Sequence, residues 1–235
     1  MSGLDPQALR NRRILDYNAL IATSAACPVF EAKAYANAAD VRSDGPGLPR
    51  EKAHAAVHWR WSFDQPTLSG PGKTTSGVVM HVDVGANGSY PFGAPACWVL
   101  SRPMPWSAHF KEGAPICLGD FWDRRGGTLL ADLAEHVSRL LNFDEVARGG
   151  GYVGWNAASI AYWNKEMGGR PLVPDLVYPR MPADVLNPAR AAANVASVFQ
   201  PADGGLPGGD LDGMLFRPKP SRSEPAMFFR QKVGR

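Results

Sequence analysis

Cys117 is preceded by His109, eight residues earlier, and followed by Asp120 and Asp123, in a stretch broken by prolines at 103, 105 and 115. A cysteine attacks as its thiolate and also leaves readily, which suits it to accept an acyl group and pass it to an amine. A histidine titrates near neutrality, so His109 has the chemistry to take a proton from that amine, to donate to an oxyanion, or to order the loop around it. The competing reading of Cys117 is a buried structural thiol, because cysteine is among the residue types most often found inside. Asp120 and Asp123 read either as carboxylates that orient the amine or as solvated turn residues.

Other chemistries fit less well. The three cysteines, Cys27, Cys97 and Cys117, share no Cys-x-x-Cys spacing. Neither a zinc cage nor a disulfide framework is expected, and a reducing cytoplasm suits the chain. Cys97 falls in an apolar run and Cys27 at a helix end, where structural thiols belong. Gly72-Lys73-Thr74 imitates the end of a phosphate-binding loop, but the first glycine of that motif would fall at Thr67. The segment also joins two strands, so a hairpin loop is expected there. A net charge of +3 with scattered Lys and Arg does not make a nucleic-acid face. No apolar run approaches the ~18 residues of a membrane span. Arg10, Arg12 and Arg13 imitate the start of an export signal, yet Asp16 and Asn18 interrupt the apolar region that should follow.

The elements that must hold the loop can be read from periodicity. Asp5-Pro6 is a helix start, and Leu9, Ile14, Tyr17, Leu20 and Ile21 recur on one face until Pro28. Arg10, Arg12, Arg13 and Asp16 are expected on the other, solvated face. Residues 30–41 hold a weaker strand pattern, diluted by alanines. Val57, Trp59, Trp61 and Phe63 alternate with polar residues, as do Val78, Met80, Val82 and Val84, and 96–100 is a short apolar run. These predict a meander of about four antiparallel strands. Residues 101–127 show neither period and predict a long ordered loop, a kind that is often functional. Thr128 is the expected N-cap of the strongest helix, with Leu129, Leu130, Leu133, Val137, Leu140 and Leu141 on one face and Asp132, Glu135 and Arg139 on the other. A further helix is expected from Asn156 to Met167, with Ile160, Ala161 and Trp163 inside. An alanine-rich segment follows over 187–199, then a Gly- and Pro-rich tail in which Met227-Phe228-Phe229 is an apolar exception. This order is α+β, with one domain expected over 1–170 and an extension over 171–235.

Within it, Tyr90-Pro91-Phe92 with Pro95, then Ile116-Cys117-Leu118, Trp122 and Leu140-Leu141 succeed one another. This succession resembles the core of the ubiquitin-conjugating enzymes, and covers residues 5–167. The family's His-Pro-Asn motif is absent, and its asparagine position, eight residues before the cysteine, holds His109. Trp122 also lies closer to the cysteine than is usual in the family. Both departures are similar to divergent bacterial members that accompany a ubiquitin-like protein and an adenylating enzyme, several of them in antiphage defence.

The resemblance implies a ubiquitin-conjugating-enzyme-like fold and a cytoplasmic acyltransferase. Cys117 would carry the C-terminal acyl group of a ubiquitin-like modifier protein, received from an adenylating activating enzyme, and deliver it to a lysine of a target protein. It implies no metal or organic cofactor and no nucleic-acid or membrane partner. Asp120 stands where the family often has an acidic residue that orients the lysine, and His109 where it has an oxyanion donor. A catalytically silent module that binds the modifier, and a cysteine hydrolase using His109 and Cys117, remain as alternatives.

Overall fold

Trp59, Trp61 and Phe63 alternate with His58, Arg60 and Ser62, and the three aromatics are almost wholly buried. A strand with that pattern needs neighbours on both edges and a layer over its apolar face. A computed structural model supplies both; it describes residues 5–86, 88–122, 126–144, 155–183 and 185, all within a unit spanning residues 1–201. In chain order the elements are α1 (Pro6–Ala26), β1 (Phe30–Tyr35), α2 (Ala38–Ser43), a 3₁₀ turn (Arg50–Ala55), β2 (His58–Phe63), β3 (Thr67–Gly70) and β4 (Lys73–Thr75). They continue with β5 (Val78–Asp83), β6 (Ala96–Val99), α3 (Leu130–Leu141) and α4 (Ala157–Lys165).

The arrangement is α+β, with a first helix and a four-stranded antiparallel sheet in the order β1–β2–β5–β6. The connection carrying Gly72-Lys73-Thr74 forms the separate hairpin β3–β4. Phe30, Ala32 and Ala34 of β1 lie opposite Phe63, Trp61 and Trp59 of β2. The alanines that weaken β1 as a sequence pattern are thus small residues set across from tryptophans. Beyond Tyr35, α2 takes over residues 38–41 of the expected strand region and runs on to Ser43, where a loop is expected.

The apolar face is covered by α1 and α3. Tyr17 of α1 meets Trp59 at 5.8 Å between ring centroids. Leu130, Leu133, Val137, Leu140 and Leu141 of α3 are buried, each contributing roughly 1.5–3 kcal/mol relative to exposure. Helix α3 begins one residue later than Thr128 predicts, with Leu129 at the cap position. Its first-turn donors find carboxylates instead of a cap hydroxyl: Leu129 N–H donates to Asp132 at 3.0 Å and Leu130 N–H to Asp16 at 2.9 Å.

That second bond corrects the reading of α1. Arg12 and Asp16 do not face solvent; they are 6% and 1% exposed and pair with each other at 2.6 Å. Arg12 also donates to the carbonyls of Gly126 and Thr128, and the Tyr90 hydroxyl donates to Asp16. Burial opposes the Arg12 charge, but Asp16 and Tyr90 together outweigh it and hold the guanidinium well above its ordinary pKa. Ile21, expected in the buried stripe, is exposed.

Helix α4 starts where Asn156 predicts, its side chain accepting from Ser159 N–H at 3.1 Å. Trp163 is buried, Ile160 half-buried, and Ala161 exposed rather than inside. From there the chain stays on the domain. Leu172 N–H donates to the Asn142 carbonyl at 2.9 Å, and Met181 joins the core. The alanine-rich segment over 187–199 and Met227-Phe228-Phe229 lie outside the described residues.

Candidate active-site loop

Between Val99 and Leu130 the described residues form no helix or strand, and the loop is held by hydrogen bonds from several directions. Ile116 N–H donates to the Cys97 carbonyl at 2.8 Å, so the returning chain lies along the outer edge of β6 and satisfies it. Trp106 N–H donates to the Leu68 carbonyl at 2.6 Å, and Ser107 donates to the Leu140 carbonyl of α3 at 3.1 Å. Trp155 N–H, just before α4, donates to the Ala108 carbonyl at 2.7 Å. A backbone anchored to β3, β6, α3 and the start of α4 positions its side chains far better than an unsupported loop.

His109 and Cys117 are brought together by two bonds. Cys117 N–H donates to the His109 carbonyl, and Nδ1 of His109 meets the Cys117 carbonyl, both at 3.0 Å. A carbonyl only accepts, so Nδ1 carries the proton in this arrangement and Nε2, which is buried, carries the ring lone pair. Burial lowers the His109 pKa and the bond to Cys117 partly restores it. The ring is therefore neutral at neutral pH, and its polar edge is spent on the backbone of the cysteine.

Of the three free cysteines, Cys27 and Cys97 are buried and Cys117 is half-buried. Burial pushes the Cys97 thiol far above its ordinary pKa, which makes it inert. Cys117 is the one thiol with access to a partner. Asp120 is exposed in a tight turn closed by Phe121 N–H donating to the Leu118 carbonyl at 3.2 Å, with Gly119 at φ +58°. Asp123 lies outside the described residues.

The other motif residues meet behind the loop. The Trp122 indole N–H donates to the Pro91 carbonyl at 2.9 Å, and its ring lies 5.9 Å from that of Tyr90. Gly126, at φ +79°, sits against Pro91 and Phe92 so closely that a Cβ would come within 3.3 Å of the Phe92 ring. Tyr90 in turn reaches the Arg12–Asp16 pair, so α1, the Tyr-Pro-Phe segment and the end of the loop form one buried polar contact.

One neighbour of the loop escapes a reading of the chemistry-bearing residues alone. His136 of α3 is buried, stacks on Phe121 at 4.0 Å with 8° between the rings, and lies near enough to His109 to be perturbed by it. Burial first, then the His109 and Arg139 charges, push its pKa down to about 4. Its place three residues after Leu133 and four before Leu140 puts it on the apolar stripe, which was the available signal. Among the described residues, no trio of metal-ligating side chains includes Cys117, His109 or His136. No family model, no curated protein and no solved structure matches the chain.

Proposed function

We propose that Cys117 is the acceptor and donor of an acyl group in a protein-conjugation reaction. A half-buried thiol on a loop anchored at four elements, in a chain whose other two thiols are buried, is the observation that carries the reading. The ordered succession from Tyr90 to Leu141 supports it, because Trp122 and the Tyr90-Pro91-Phe92 segment, two of the motifs that carry the resemblance to ubiquitin-conjugating enzymes, are joined in space. On this reading the described domain has the fold of those enzymes, its partners are a ubiquitin-like protein, an adenylating enzyme and a target, and its setting is bacterial antiphage defence.

In the first step the Cys117 thiolate attacks the thioester carbonyl carbon that the activating enzyme presents. The new S–C bond forms and the enzyme's thiolate departs. In the second, a neutral lysine amine attacks the same carbon, an amide forms, and the Cys117 S–C bond breaks as the amine's proton passes to solvent or a nearby base. His109 acts in both as a positioning residue: its Nδ1 holds the carbonyl of the nucleophile's own residue, which fixes where the thiol projects. Asp120, exposed three residues on, is available to orient the incoming ammonium.

The orientation of His109 favours this reading over a cysteine hydrolase, which needs an imidazole nitrogen directed at the thiol. A single-turnover chase separates them. Chain loaded with the modifier should lose it to free lysine much faster than to buffer, giving a lysine adduct. Cleavage of a modifier fused through its C-terminus, with no transfer to lysine, would establish the hydrolase instead.

A further inference from the structure

The side of the sheet turned away from α1 and α3 carries a separate cluster. His58 lies directly opposite Asp83 in the β2–β5 register, and His81 is two residues before Asp83 on β5, so the pleat sets all three side chains on one face. Nε2 of His81 is 3.2 Å from Nδ1 of His58, and that same Nδ1 is 3.5 Å from Oδ1 of Asp83. The three ligand atoms all lie within 4.8 Å of one another. In a tetrahedral zinc site, with bonds of about 2.0–2.1 Å to nitrogen and oxygen, neighbouring ligand atoms stand roughly 3.3 Å apart.

The geometry points to a divalent-metal site of the zinc class, formed by His58 Nδ1, His81 Nε2 and an Asp83 carboxylate oxygen, with its fourth position open to water. Two imidazoles and a carboxylate are a donor set that such an ion takes readily. The site is partly walled before any ion arrives. His81 is buried, with the Trp98 ring 5.6 Å from its own, and His58 and Asp83 are mostly covered. Gly85 N–H donates to Asp83 Oδ1 at 2.7 Å, which fixes the carboxylate; an oxygen that accepts one such bond keeps a second lone pair for an ion.

Two cations lie near and bound the affinity. Arg60 stands opposite His81 across β2 and β5, but its guanidinium is drawn off to Asp44 at 3.3 Å and to the Val41 carbonyl at 3.1 Å. Arg42 of α2 is close enough to oppose positive charge on His81. On binding, the proton lying between the two imidazoles gives way to the ion. Each ring stays neutral with its proton on the far nitrogen, and no oxidant or co-reactant is involved. The ion would tie β2 to β5 through side chains that sequence spacing does not bring together, since 58 and 81 fall on different strands.

Zinc chloride titrated into the chelator-treated full chain tests this. A Cys117→Ser background removes the accessible thiol as a competing ligand, and a chromophoric chelator reads the free metal. One equivalent should bind, raising Tm. Asp83→Asn, whose amide oxygen still accepts from Gly85, and His58→Gln should each weaken binding at least about tenfold, since even outer-shell changes at metal sites act on that scale. As a readout that needs no ligand variant, zinc should protect His58 and His81 from carbethoxylation in the parent chain while leaving His54 reactive. No uptake of zinc at protein-level concentrations would overturn the site. So would binding undiminished in both variants, or His58 and His81 remaining as reactive with zinc as without it.

Discussion

At the scale of single residues, the division of labour between His109 and Cys117 is the feature with consequences. If His109 fixes the loop and does not take the proton, His109→Ala should slow loading of Cys117 on the order of a hundredfold, the cost of misplacing a reacting group by about an ångström. The loss should be uniform across pH 6 to 9. A change in the shape of the pH profile would show that the imidazole was titrating in the reaction. His136 supports a separate prediction about stability. Its folded pKa of about 4 lies below the ordinary value of 6.5, so the unfolded chain binds more protons between these limits and stability falls as pH drops through them. The full effect, reached below about pH 4, is on the order of 3 kcal/mol; His81 and His109 are lowered too and add in the same direction. Urea melts at pH 7.5, 6 and 5 should follow that slope, and His136→Gln should flatten it. A slope unchanged by that substitution would remove His136 as a cause.

At the scale of elements, the buried Arg12–Asp16–Tyr90 contact fastens α1 to the start of α3. Asp16→Ala would leave a buried guanidinium without its counter-charge and the Tyr90 hydroxyl and the Leu130 N–H without their acceptor, and breaking one partner of such a pair costs about 3–5 kcal/mol. Arg12→Met combined with Asp16→Leu should cost less than Asp16→Ala alone. Equal losses in denaturant melts would mean that the pair, and not its unpaired remainder, carries the energy. Gly126→Ala should destabilise by about 1–3 kcal/mol, because its φ of +79° and its contact with Phe92 both resist a Cβ. How much of this was legible depends on whether a pattern is local. The alternation in β2 and β5 and the stripe of α3 are properties of short windows, and all three elements stand within a residue of where they predict. The hairpin β3–β4, the helix α2 and the burial of Arg12 depend on what the rest of the chain brings alongside. Arg12 at i and Asp16 at i+4 look like a surface pair; only the carbonyls of Gly126 and Thr128, more than a hundred residues away, make them interior.

For the whole molecule, the loop with Cys117 was readable as a place, since prolines and the lack of any period mark it, whereas its anchoring to β3, β6, α3 and the start of α4 was not. The segment after α4 also belongs to the domain. Met181 packs in the core, and the Tyr178 ring lies 4.3 Å from the Arg139 guanidinium, which itself is bound to Glu135 and Asp144. A chain ending at residue 170 should therefore be less stable than one ending at residue 185 by about 2–5 kcal/mol, the range for emptying a buried methionine site. Equal midpoints in urea would place that segment outside the cooperative unit. If Cys117 carries an acyl group, as proposed, the direct measurement is loading with ATP by an adenylating enzyme and the ubiquitin-like protein it activates, read on non-reducing gels. The prediction is an ATP-dependent adduct that thiol reductant removes, that Cys117→Ser converts to a reductant-resistant ester, and that Cys117→Ala abolishes. An adduct that persists in Cys117→Ala, or no adduct with an activating enzyme shown to form its own thioester, would contradict it.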